Sequence, residues 1–133
     1  LATITKQKVE EINNKCSNNW ELDVFYFLNW NQKTLIKRIP IEDNNYLEFT
    51  LYYNNQNQIT LNIGKFHQIE EKGIAISDGM GKTAILNETI FKRKNVNNLI
   101  EYTNQLTDNE LLKINAEAKV KKSDGLFLQS EDF

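Results

Sequence analysis

The sequence predicts an α+β fold: an antiparallel meander sheet or half-barrel of five to six strands, packed by an N-terminal helix and a C-terminal helical segment. Three observations lead there. Apolar residues recur at helical spacing near both ends of the 133-residue chain. From Trp20 to Phe91 they recur with period two. The connections inside that middle stretch are short and polar, which makes antiparallel hairpins, because a parallel neighbour needs a crossover of about a dozen residues.

Residues 2–18 read as an amphipathic helix. Val9, Ile12 and Cys16 follow i, i+3 and i+7, with Ile4 about a turn earlier and Lys, Gln and Glu on the other face. Asn13-Asn14 and then Ser17-Asn18-Asn19 stop it. Segment 20–30 places Leu22, Val24, Tyr26, Leu28 and Trp30 on one side of a strand, with Phe25 and Phe27 on the other. Segment 34–42 carries Leu35, Ile39 and Ile41 on one face, and Pro40 puts that strand at an edge or on a bulge, since proline cannot donate to the ladder. Segment 46–53 alternates cleanly, with Leu47, Phe49, Leu51 and Tyr53 against Glu48, Thr50 and Tyr52. Segment 59–66 repeats the pattern with Ile59, Leu61 and Ile63. Two shorter strands are predicted at 73–77 and 83–91, joined by a hairpin in which Asp78-Gly79 supplies positive φ.

The C-terminal third returns to helical spacing through Val96, Leu99, Ile100, Thr103 and Leu106. Thr107 and Glu110 form a capping box just before Leu111-Leu112, so another helix begins there and runs to about Val120. Residues 1–120 make a single α+β domain on this reading. Residues 121–133 read as an extended or disordered tail in which Phe127 needs a partner to be buried.

The composition is that of an ordinary globular protein: 40% hydrophobic, 26% charged, net charge −2. It excludes disordered and collagen-like classes and gives no global basic signal for nucleic acid. One Cys and one His rule out an internal disulfide and a classical zinc site. No apolar run approaches the ~20 residues of a membrane helix. The chain opens Leu-Ala-Thr-Ile-Thr, with no initiator Met and no intact signal peptide, so a processed or trimmed chain with a removed targeting segment stays open. The lone thiol leans towards the cytoplasm or another reducing compartment. Asparagine occurs 19 times while Gly and Pro together supply 6 residues, so Asn takes over the turns, notably at Asn44-Asn45 and Asn54-Asn55.

Ser77-Asp78-Gly79-Met80-Gly81-Lys82-Thr83 is the one motif-like stretch. A P-loop would need glycine at 76, where Ile stands, and a helix after Thr83, where a strand follows. The Asp-Gly-Met-Gly string is similar to the metal-binding Asp-Gly segment of metal-dependent PPM serine/threonine phosphatases, and the resemblance would make Asp78 a metal ligand. It covers four residues, in a chain much shorter than that family's and without its further aspartates. Cys16 and His67 lack any third group to make a catalytic set, and Glu10-Glu11, Glu42-Asp43 and Glu70-Glu71 read as solvated turns and faces. The Asn87-Glu88-Thr89 sequon matters only in a secreted protein. No catalytic residue, metal site or cofactor is therefore expected.

Aromatic density carries the functional expectation. Of the 14 aromatics, 9 lie between Trp20 and Tyr53, and segment 20–30 is apolar on both faces. The expected role is a non-enzymatic protein-binding or assembly factor, an adaptor, inhibitor or chaperone, that uses an aromatic sheet surface. Phe25, Phe27, Trp30, Tyr52 and Phe127 are its candidate contact residues. A homodimer by sheet-edge pairing is compatible with this. The alternative is a small apolar ligand inside the curled sheet. A further alternative is single-stranded nucleic acid on Lys37-Arg38, Lys92-Arg93-Lys94 and Lys119, Lys121 and Lys122 interleaved with Tyr52, Phe66 or Phe91.

Overall fold

The computed structural model describes residues 5–24, 34–69, 74–86 and 96–118. Its element order is α1 (Lys6–Lys15), β1 (Glu21–Leu22), β2 (Leu35–Pro40), β3 (Asn45–Tyr53), β4 (Ile59–Ile69), β5 (Ile74–Ile85), α2 (Val96–Tyr102) and α3 (Asp108–Glu117). The five strands form one antiparallel sheet in chain order, β1-β2-β3-β4-β5. The α+β meander expected from the periodicity is thus present.

Asparagine and aspartate close the hairpins, as the shortage of glycine requires. Asp43 and Asn44 both have positive φ, 58° and 61°, between β2 and β3. Two left-handed residues in a two-residue loop match the twist of the flanking strands. In the next loop Asn57 is left-handed (φ 60°), and the Asn54 carboxamide oxygen accepts from the Gln56 and Gln58 amides at 2.9 Å each. All five non-glycine residues with positive φ among those described are Asn or Asp.

Period two then fixes the faces. In β3, Leu47, Phe49, Leu51 and Tyr53 are buried while Tyr46, Glu48, Thr50 and Tyr52 are half-buried. Their partners, Leu35 and Ile39 on β2 and Ile59, Leu61 and Ile63 on β4, face the same way. This first face meets Ile12 of α1, Leu99 and Ile100 of α2, Leu106, and Leu111 of α3 in a single core cluster. Each fully buried large aliphatic or aromatic side chain there contributes about 1.5–3 kcal/mol relative to exposure.

The helices are tied to one another as well as to the sheet. Thr107 caps α3 by accepting from the Glu110 amide at 3.2 Å, the first half of the expected capping box. After α1, the Ser17 amide donates to Thr103 Oγ1 at 2.9 Å and the Asn18 carboxamide to the Thr103 carbonyl at 2.8 Å. Trp20 Nε1 reaches the Leu106 carbonyl at 3.0 Å, satisfying its only donor inside the core.

Three expectations are corrected. α1 starts at Lys6, where Thr5 caps it through the Lys8 amide, and α3 ends at Glu117. Of the strand predicted over 20–30, the described part is extended only at Glu21–Leu22, Val24 is 44% exposed and not on the buried side with Leu22, and residues 25–30 lie outside the described residues. Most consequentially, Asp78-Gly79 is not a turn between two strands; of the strand predicted over 83–91, residues 87–91 lie outside the described residues. Residues 74–85 form one strand, all along β4, and the Asp-Gly pair lies within it. Gly81 pairs with Gly64 and Ser77 with Phe66, so three β5 residues oppose the single residue Lys65. Asp-Gly chemistry here makes a bulge, the other use of a permissive backbone in a sheet. Pro40 fits its predicted place: it pairs with Tyr46 on one side, while β1 extends only over Leu35 and Ile36.

Candidate functional site

The second face of the sheet, opposite the helices, carries the side chains of interest. Arg38, Tyr46 and Phe66 lie on adjacent strands β2, β3 and β4 and form a lateral stack. Tyr46 and Phe66 are directly paired, with ring centroids 5.4 Å apart and planes 15° from parallel. The Arg38 guanidinium carbon lies 5.7 Å from the Tyr46 centroid, and its Nε donates to Glu48 at 2.9 Å. That pairing holds Arg38 above the ordinary guanidinium range although burial opposes it. Burial also raises the Tyr46 phenol. Phe66 is positioned by an absent side chain: a Cβ on Gly64 would lie 3.0 Å from the ring's Cε1. The ring therefore covers glycine, as aromatic neighbours do in other sheets.

Beside the stack runs a groove of about 760 Å³, lined by Arg38, Pro40, Asn44, Asn45, Tyr46 and Gln68 among others. Further along the face, Asn62 Oδ1 accepts from Tyr52 Oη at 3.2 Å and from Thr83 Oγ1 at 2.9 Å. At the far end Ile36 and Thr60 are buried, so this face is not uniformly open.

Of the predicted contact residues, Tyr52 belongs to this polar cluster, and burial raises its phenol despite the Asn62 contact. It is one of the row of cross-strand hydrogen bonds and is not in the Tyr46–Phe66 stack. Phe25, Phe27, Trp30 and Phe127 lie outside the described residues, as do the tail 121–133, the sequon and the basic residues at 92–94 and 119–122. Tyr46 was not singled out from the sequence. Its signal was present: even-numbered β3 residues share a face, and the hairpin length sets Tyr46 opposite Phe66.

The basic pair Lys37-Arg38 is split across the sheet. Lys37 is 7% exposed on the helix-covered face, where Nζ contacts the Asn18 carbonyl at 2.5 Å and Asp108 at 2.7 Å. Cys16 and His67 have separate duties. The Cys16 thiol donates to the Ile12 carbonyl, and burial pushes it up to about 11. His67 Nδ1 lies 2.9 Å from Asn45 Oδ1 on the neighbouring strand. Among the described residues no cluster of three His, Cys, Asp or Glu could hold a metal ion. No helix there is long and apolar enough to cross a membrane.

Compared with known proteins, the chain matches no family model, no curated protein and no solved structure. Function rests on the site alone.

Proposed function

We propose that this chain is a non-enzymatic protein-binding or assembly module that contacts its partner through the second face of the sheet. The observation that carries the reading is the Arg38–Tyr46–Phe66 stack beside a 760 Å³ groove, on the face of the sheet opposite the described helices. The groove suits an extended segment of another protein. Asn44, Asn45 and Gln68 offer amide donors and acceptors to a backbone, while Pro40 and Tyr46 offer apolar contact to a small side chain.

Two observations favour this over the other readings. The helix-covered face is filled by Leu35, Phe49, Leu51, Leu61, Leu99 and Leu111, all without exposed surface, where an interior ligand would have to sit. Lys37 and Arg38 are each already engaged by a carboxylate, which weakens them as phosphate contacts. A reducing compartment suits a free thiol with so little thiolate character.

The test is purification of the tagged full chain from its native source, with mass spectrometry of both proteins and extractable small molecules. A stoichiometric protein partner lost with Tyr46→Ala, and retained by a core-neutral surface variant such as Lys113→Ala, is the expected result. A small molecule bound without a protein partner would transfer the assignment to ligand binding. A partner indifferent to Tyr46→Ala but lost with Trp30→Ala would move the interface to segment 25–33.

A further inference from the structure

We propose that the segment seated in the groove beside Tyr46 is proline-rich, an extended stretch that offers carbonyl groups and few N–H groups; this rests on the protein-binding reading above and names the chemistry of the occupant. The groove's side chains have mainly donors left to give. Asn45 Oδ1 is already engaged by His67 Nδ1 at 2.9 Å, so the donors of its carboxamide are what remain. The Asn44 and Gln68 carboxamides and the Tyr46 hydroxyl also line the groove, and they enter no side-chain hydrogen bond among the described residues. Burial raises the Tyr46 phenol, so it keeps its proton and can donate at neutral pH. Arg38 gives Nε to Glu48, which leaves its Nη groups for a ligand. The backbone acceptors at this end of the groove are spent: the Asn44 carbonyl takes the Gln68 amide at 3.0 Å, and the Asn45 carbonyl takes the Ile41 amide at 2.8 Å.

An ordinary extended segment brings one N–H for every C=O. In a groove with so few spare acceptors, many of those N–H groups would lose water and gain nothing. A proline-rich segment brings carbonyls without the N–H groups, and its extended left-handed form is set before binding, which lowers the entropy cost. The walls suit it as well. Pro40 and the stacked Tyr46 and Phe66 rings are stiff apolar surfaces of the kind that receive pyrrolidine rings. Charge separates this occupant from an acidic one, which would also accept from these donors. The hairpin between Ile41 and Asn44, both on the groove, carries the exposed Glu42 and Asp43, and Glu48 sits against Arg38. These carboxylates repel an acidic segment and leave a neutral carbonyl ligand unaffected.

The full chain is screened against a library of roughly ten-residue peptides with proline fixed at every third position, the period of that left-handed helix. Matched libraries carry alanine or glutamate at the same positions, and the best sequences go into fluorescence titration. Proline peptides should bind tightest. Replacing their prolines by alanine, which returns the N–H groups, should weaken binding about tenfold. Gln68→Ala, at an exposed position, should weaken it about three- to tenfold, and Tyr46→Ala should abolish it, with a melting curve confirming that each variant is folded. Tighter binding by the glutamate series, or equal binding by the alanine series, overturns the proline assignment and leaves the protein-binding reading standing. So does a failure of every library while the purified partner still depends on Tyr46. If no partner is found either, both fail. Proline binding that ignores Tyr46→Ala and Gln68→Ala overturns the inference and removes the groove from the reading above.

Discussion

The two faces of one sheet, built from alternate residues of the same strands, are stabilised in different ways. On the helix-covered face Leu35, Phe49, Leu51 and Leu61 are sealed from water, and a buried charge there, Lys37, is paired with Asp108. On the second face the contacts are lateral and specific: Arg38 with Glu48 and Tyr46, Tyr46 with Phe66, Tyr52 and Thr83 with Asn62. The first face holds the fold by excluded water. The second holds register by matched pairs, at far lower energy per residue, and so can change its chemistry without unfolding the protein.

The largest expected effect tests that contrast directly. Phe49→Ala, at the centre of the covered face, should cost about 3–5 kcal/mol in denaturant unfolding. A loss below 1 kcal/mol would mean that this face is not the main core. Lys37→Ala should cost about 1–3 kcal/mol, because it leaves the Asn18 carbonyl without its partner in a buried setting. Lys37→Met should cost less than Lys37→Ala, since it keeps the stem that packs under the helices. Equal losses in the two variants would place the whole effect on the charge. Thr107→Ala removes the α3 cap and should cost about 1 kcal/mol. On the second face Tyr46→Ala should cost only about 0.5–1 kcal/mol, while abolishing partner binding. A large stability loss there, of the Phe49→Ala order, would make Tyr46 a core residue and remove the proposed interface.

The smallest effect concerns Cys16 and needs no mutation. With its thiol pushed to about 11 by burial and, secondarily, by Glu21, Cys16 should alkylate far more slowly at pH 8 in the native protein than in urea. The linked stability follows the same sign. The contribution is fully present below the unfolded thiol's value near 9 and is lost as pH rises towards 11, because the unfolded chain loses its proton first.

Much of the covered face was legible in sequence, because burial on one side imposes period two on β3 and β4 and helical spacing on Val9, Ile12, Leu99 and Leu106. The Asn turns and the Thr107 cap were legible for the same kind of reason, since local backbone needs select local residues. Lys37 was not. A lysine between Ile36 and Arg38 reads as solvated until α3 brings Asp108 to it from 71 positions away in the chain. The Asp78-Gly79 pair misled because positive-φ chemistry serves a hairpin and a bulge equally, and only the length of β4 decides which. The Arg38–Tyr46–Phe66 stack needed register across three strands, which no single segment encodes.

The clamp between Ser17, Asn18 and Trp20 on one side and Thr103 and Leu106 on the other has a consequence for synthesis. Ser17 and Thr103 are 86 positions apart, yet they share a hydrogen bond. At roughly 5–20 residues per second, a ribosome needs about 4–17 s to make the intervening chain. Throughout that interval the meander can form hairpin by hairpin, but its apolar side lacks Leu99, Leu106 and Leu111. The nascent chain thus presents a nearly complete, uncovered hydrophobic sheet until its last helices emerge, and that interval is when a chaperone would find it.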